Sequence, residues 1–239
     1  EIMPSLVGSE MCIRDSSNPT GACYSRRELE EIAEVVRRHD NLYVMTDDIY
    51  EHIVYDNFEF FTFAQVAPDL KDRVLTVNGV SKSHCMTGWR IGYAAGSKDI
   101  IKKMKTLQSQ STSCASSISQ AAACAALSQD CKELPSMKEQ YKIRHDFVVD
   151  QLNKIDGVVC KETDGTFYVF PSFHGYIKNS ASIKDDKELA LHLLNNAKVA
   201  VVPGSAFGSE GHIRISIAID TVSYTHLRAH ETRHDLVCR

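Results

Sequence analysis

No stretch of this 239-residue chain is apolar for long enough to cross a bilayer as a helix, which takes about 20 residues. Basic residues are not in excess either. The net charge is −4, which gives no reason to expect nucleic acid or an anionic membrane as a partner. The eight cysteines stand singly, with no Cys-x-x-Cys pair and no metal-ligand spacing. That scatter suits reduced thiols in a cytoplasmic protein better than a disulfide framework. Residues 1–16 lack the charged, apolar and small-residue blocks of a signal peptide. Between residues 17 and 220 there is no internal repeat and no low-complexity segment. What is present is ordinary: 43% hydrophobic and 24% charged residues, enough for one large domain or two small ones around a real core.

The two ends differ from the middle. From residue 221 to 239 the chain turns rich in His and Arg, with His226, Arg228, His230, Arg233, His234 and Arg239. A disordered tail and a metal-binding His tract are two readings of it. A third is preferred, because residues 5–16 and 222–239 resemble translated sequencing-adaptor sequence. Residues 1–16 are therefore expected to be a non-native leader and 221–239 a non-native tail, and functional expectations are confined to about 17–220.

Within that span the chain is organised around residues 78–93, Asn-Gly-Val-Ser-Lys-Ser-His-Cys-Met-Thr-Gly-Trp-Arg-Ile-Gly-Tyr. Lys82 follows a β-type run at 74–77, and Arg90 comes shortly after it. Gly79 and Gly88 between them allow backbone to approach a ligand. A Lys–Arg pair at this spacing is common on surfaces, so the surrounding residues carry the specificity.

Upstream, Asn18-Pro19-Thr20-Gly21 is a turn by composition. Ser25 and Glu28 form a capping box, and Leu29, Ile32, Ala33 and Val36 follow at helical spacing, so 25–38 should be an amphipathic helix. Residues 42–46 read as a buried strand of a parallel sheet covered on both faces, ending in Asp47-Asp48-Ile49-Tyr50. Two adjacent Asp on their own cap a helix or sit in a solvated loop, but carboxylates at the carboxyl end of a parallel strand also lie where open α/β sheets bind ligands. Residues 91–95 should form another strand. Ser97 should cap a helix carrying Ile100, Ile101, Met104 and Leu107, with Lys102, Lys103 and Lys105 as its solvated face. Residues 121–127 are a small-residue helix.

A long helix is expected over 135–155, with Met137, Tyr141, Val148, Leu152 and Ile155 as core candidates and Gly157 as its stop. A hairpin around Thr163-Asp164-Gly165, a helix over 185–197 and a strand over 199–202 follow. In the closing strand, 213–217, alternation puts three Ile on one face and Arg214 and Ser216 on the other. An Arg in so apolar a strand is either surface-exposed or needs an anionic partner.

Taken in order, Asn18, Asp47 with Tyr50, Lys82, Arg90 and Arg214 resemble the site motifs of the class I aminotransferases, pyridoxal-phosphate enzymes. The phrase Ser-Lys followed by Met-Thr-Gly-Trp-Arg-Ile-Gly-Tyr is similar to the family's cofactor-lysine segment, and Gly-Ser-Ala-Phe-Gly with Ile-Arg-Ile-Ser to its substrate-carboxylate segment. The resemblance implies that Lys82 forms the Schiff base with pyridoxal 5′-phosphate and then serves as general base. It implies that Asp47 pairs with the ring nitrogen, that Asn18 and Tyr50 bond the phenolic oxygen, and that Arg90 pairs with the phosphate. Arg214, with Asn18 beside it, would grip the substrate α-carboxylate. The family has Asp-Glu-x-Tyr where this chain has Asp-Asp-x-Tyr, and the change falls on Asp48, away from the cofactor partner.

The implied fold is α/β: part of a fold type I pyridoxal-phosphate transferase, with a mostly parallel sheet flanked by helices and a smaller α+β C-terminal domain. Residues 17–145 would be a partial large cofactor-binding domain and 146–220 the small domain. The implied activity is amino-group transfer between aspartate or glutamate and a 2-oxo acid, in a cytoplasmic homodimer with no nucleic-acid or membrane partner. An aromatic, alanine or prephenate specificity stays open. So does a transcriptional regulator built on the same fold, its DNA-binding part lying outside this chain. The resemblance starts near the middle of a family member. A fragment lacking an N-terminal phosphate-binding loop, and inactive alone, is therefore expected.

Overall fold

The computed structural model describes residues 10–13, 17–56 and 58–218. The His- and Arg-rich stretch from His226 onward, and most of the expected leader, lie outside the described residues. The described chain divides into two compact units. One holds the described residues up to 17 together with 22–136. The other holds 18–21 together with 137–218. The division thus falls at the start of the long helix rather than at 145, and the Asn18–Gly21 segment goes with the second unit.

The first unit is built on a four-stranded sheet of β1 (Glu10–Ile13), β2 (Tyr43–Asp47), β3 (Val74–Asn78) and β4 (Tyr93–Gly96), in that order. β1, β2 and β3 run parallel, and β4 is antiparallel to β3. β1 falls in the stretch set aside as leader, where no strand was expected. Helix α1 (Arg26–Arg37) forms because Ser25 caps it: its hydroxyl accepts from Glu28 N–H while the Glu28 carboxylate accepts from Ser25 N–H. Its apolar stripe of Leu29, Ala33 and Val36 packs with Val44, Phe63, Ala67, Leu70 and Val74, Phe63 opening the one-turn helix α2 (Phe63–Val66).

Among the described residues only one face of β2 is covered. Val44 and Thr46 are buried, whereas Tyr43 is 46% and Met45 41% exposed. The continuous apolar run that suggested cover on both faces therefore alternates in burial, because the helix packed on β2, α1, covers one side. After Ser97 caps it, α3 runs over Lys98–Ser111, and α4 (Ser117–Leu127) begins after a short break. α3 buries none of its apolar residues.

The second unit begins with α5 (Leu134–Leu152), which buries Tyr141, His145, Val149 and Leu152. Met137 and Val148 are only partly buried, and His145 was not foreseen as core. The helix stops at Leu152, ahead of Gly157, whose positive φ of 78° and close approach to Gly175 and Tyr176 leave no room for a Cβ. Around this run β5 (Tyr168–Val169), β6 (Val202–Pro203) and β7 (Ile213–Ser216) in an antiparallel sheet of order β5-β7-β6, with α6 (His174–Asn179) and α7 (Asp186–His192) packed beside it. The expected strand over 199–202 shrinks to β6, and the 163–165 hairpin reduces to a single bridge, Val159 to Ser172. α7 continues as one π turn, Leu193–Ala197. The core is Val149, Leu152, Val169, Phe173, Leu189 and Ile213 with their neighbours.

Candidate active site

In the first unit the site residues collect where β2 and β3 end. Strand register sets Asp47 opposite Val77, and Asp48 N–H donates to Val77 C=O at 2.9 Å, so the pairing runs one residue past β2. Asp47 is half-buried, Asp48 fully buried and Tyr50 5% exposed. The chain leaving β3 turns at Asn78, whose side-chain oxygen accepts from Gly79 N–H at 2.7 Å while its amide donates to Glu51 at 2.7 Å. This turn brings Lys82 back over the other strand's end: Lys82 Nζ lies 5.8 Å from the centre of the Tyr50 ring. The amine therefore faces the Tyr50 ring. Burial, with the carboxylates of Glu51 and Asp48, pushes the nearby Tyr93 phenol above its ordinary value.

Arg90 belongs to the same loop as Lys82. Its guanidinium is exposed and donates to Thr87 C=O at 3.0 Å. Its backbone is left-handed, with φ 48°, as is that of Cys85, with φ 53°. For non-glycine residues this is a sparsely populated conformation that is strained by about 1–3 kcal/mol and tends to gather at ligand-binding loops.

In the second unit Arg214 leaves β7 opposite Val202. Its Nη1 donates to Asn18 Oδ1 at 2.8 Å. The guanidinium lies 4.6 Å from the centre of the Tyr168 ring and 5.1 Å from that of Phe207, both within cation–π range. One donor is thus fixed by Asn18 and two ring faces hold the plane, and the remaining donors make no hydrogen bond to a described residue. Such a fork is complementary to a carboxylate. Tyr168 and Phe207 were not picked out from the sequence. An aromatic at each end of the β5–β7 region was visible, but nothing local shows that both rings reach the same guanidinium. Asn78 was likewise missed as an organiser of the Lys82 turn, although an Asn before Gly is a turn signal.

The described groups suit pyridoxal phosphate by their donor chemistry. A primary amine at Lys82 matches an aldehyde, a carboxylate at Asp47 a pyridinium nitrogen, a phenol at Tyr50 a phenolate oxygen, and a guanidinium at Arg90 a phosphate.

The sequence matches the family described as Aminotransferase class I and II over residues 10–230. It is 49% identical over 210 residues to an aspartate aminotransferase of Rhizobium meliloti (strain 1021), an alignment covering 86% of this chain and 51% of that protein. It is 50% identical over 206 residues to an aspartate/prephenate aminotransferase of Cereibacter sphaeroides, covering 84% and 52%. Among solved structures, it superposes on the aspartate aminotransferase of Rhizobium meliloti with a TM-score of 0.84 at 47% identity, covering 90% of this chain and 55% of that one. With that of Thermotoga maritima the TM-score is 0.79 at 36% identity, covering 91% and 54%. The chain spans about half the length of the curated relatives it matches.

Proposed function

The chain belongs to the class I and II aminotransferases and carries part of their fold type I α/β architecture, and from that premise we propose that the protein transfers an amino group between aspartate or glutamate and a 2-oxo acid with the help of pyridoxal 5′-phosphate. The observation that carries this reading is the Arg214 guanidinium, fixed by Asn18 and by two aromatic rings. A cation held in that way selects planar anions such as the α-carboxylate shared by amino and oxo acids.

Pyridoxal phosphate, when bound, supplies an aldehyde that condenses with amines and a ring that accepts electrons. Lys82 would hold it through its amine and move the proton at the substrate α-carbon. Asp47 would pair with the ring nitrogen and favour its protonated form. Tyr50 would bond the phenolic oxygen, a role the family resemblance also gives Asn18, and Arg90 would hold the phosphate. Arg214 orients the substrate by its carboxylate, so that the bond to be broken is presented at one angle.

A second specificity has an observation behind it. The 50% identity to an aspartate/prephenate aminotransferase favours prephenate as a further amino acceptor. Comparing kcat/KM for oxaloacetate and prephenate under identical conditions separates the two. We also propose a homodimer working in the cytoplasm. Six cysteines among the described residues form no disulfide, which accords with a reducing compartment, and no helix among the described residues is long and apolar enough to cross a membrane.

The deciding experiment is chemical. Borohydride reduction of the cofactor-loaded protein, followed by peptide mapping, should leave the reduced label on Lys82. Lys82→Ala should lose both the label and amino-group transfer. A label on another lysine would overturn the assignment.

A further inference from the structure

His145 is a buried titratable side chain of the second unit that has no part in the proposed chemistry. His145, in the middle of α5, is 1% exposed. Its Nε2 lies 3.1 Å from the backbone nitrogen of Thr163. A backbone N–H only donates, so Nε2 is the acceptor and carries no proton. The ring proton therefore sits on Nδ1, which lies 2.9 Å from Asp146 Oδ1. Burial pushes the Asp146 carboxyl up, but hydrogen bonds from Lys142 and His145 outweigh it and hold the group below its ordinary value. Lys142 Nζ stands 2.7 Å from both Asp146 oxygens. Asp146 is thus the acceptor that fixes the tautomer.

Thr163 opens the 163–165 turn, and that turn is fastened to the segment bearing Asn18. Asp164 N–H and Gly165 N–H both donate to Gly21 C=O at 3.1 Å, and Thr163 Oγ1 donates to Gly165 C=O at 3.2 Å. Gly21 has a positive φ of 71°, and a Cβ there would meet Thr163 Cβ at 2.7 Å and Gly165 O at 2.9 Å. Turn and segment are therefore in close contact, without slack for either to shift alone. At the far end of the segment, Asn18 accepts from Arg214. Every link runs through a described contact in one unit.

We propose that His145 is a positioning residue for Arg214: by holding the 163–165 turn it fixes Asn18 through Gly21, and so sets the orientation of the guanidinium that takes the substrate carboxylate. This rests on the carboxylate reading of Arg214 given above. The side chain touches neither substrate nor cofactor. It acts through geometry, so its loss should affect carboxylate affinity more than the chemical step.

The test uses the cofactor-loaded, full-length protein and succinate, an unreactive dicarboxylate, as probe. His145→Leu keeps bulk but removes the acceptor for Thr163 N–H. Succinate should then bind about tenfold more weakly, the loss of one ordinary hydrogen bond. KM should rise by a similar factor, kcat should change less, and cofactor affinity should hold. Amide hydrogen exchange at Asp164 and Gly165 should speed up. His145→Gln, whose amide oxygen can take the Thr163 N–H, should restore most of the affinity. Gly21→Ala loosens the same link from the other side without touching α5, and serves if His145→Leu does not fold. Arg214→Lys is the reference. If it leaves succinate affinity unchanged, the carboxylate reading fails and this proposal falls with it. If Arg214→Lys weakens succinate while neither His145→Leu nor Gly21→Ala does, the positioning role alone is overturned. A lower melting temperature in His145→Leu, with wild-type affinity and exchange, also overturns it.

Discussion

Asp186 should be one of the side chains on which the second unit most depends. It lies in the first turn of α7, is 2% exposed, and its Oδ2 accepts from Ser205 N–H at 2.7 Å. Burial pushes this carboxyl up, but the backbone hydrogen bonds from Ser205 and Gly211 outweigh it, so the group titrates below its ordinary 3.8. Asp186→Ala removes a charge-assisted bond and leaves the Ser205 N–H poorly solvated, together about 2–3 kcal/mol. In a unit of this size 1 kcal/mol corresponds to roughly 4–8 °C, so the melting temperature should fall by on the order of 10 °C.

Thermal unfolding followed by circular dichroism between pH 8 and pH 3 checks both size and sign. The folded carboxyl titrates lower than the unfolded one, near 3.9. Its contribution is therefore complete above that value and is lost as pH falls through the folded value. The gap between wild type and Asp186→Ala should stay constant from about pH 8 to 5 and close below about 4. Asp186→Asn, which keeps one acceptor, should lose about half as much. A gap under about 0.5 kcal/mol, the size of an ordinary surface change, or one that widens on acidification, would refute the reasoning. Ser205 stands two positions before Phe207, one of the rings beside Arg214, so Asp186→Ala should also raise KM for both substrates.

Three further outcomes follow from the site and the core. Asp47→Asn preserves shape at the end of β2 but removes the charge, so amino-group transfer should fall by orders of magnitude while the cofactor stays bound; near-normal turnover would reduce Asp47 to a strand-end cap. Arg214→Lys keeps the charge and loses the fork, so KM for amino and oxo acids should rise by about tenfold or more with cofactor affinity unchanged; the reverse pattern would mean that Arg214 and Arg90 have exchanged roles. Leu29→Ala, at a fully buried position of α1, should cost about 2–5 kcal/mol in urea unfolding, whereas Val35→Ala on the exposed side of the same helix should cost under about 0.5 kcal/mol, and equal losses would contradict the one-sided packing of α1.

What could be read from the sequence alone was local. The Ser25–Glu28 box fixes where α1 starts, because a cap and its partner lie within one turn of each other. Alternation along 213–217 placed the isoleucines inward and Arg214 on the opposite face, because side chains of a strand repeat every two residues. The Asp47, Tyr50 and Lys82 segments were legible as site candidates because each follows a β-type run. What tertiary structure decided was pairing across distance. Asn18 and Arg214 are 196 residues apart, and no local periodicity says that they meet. The rings of Tyr168 and Phe207 converge on one guanidinium only after β5, β7 and the 204–207 turn have packed. His145 looked like one more residue of a long helix, yet it is buried because the 163–165 turn folds back over it. β2 read as covered on both faces, and packing left one open. The reason is the same in each case. Caps and periods are enforced by sterics and hydrogen bonds within a few residues, whereas burial and polar partnership depend on which segments the whole chain brings together.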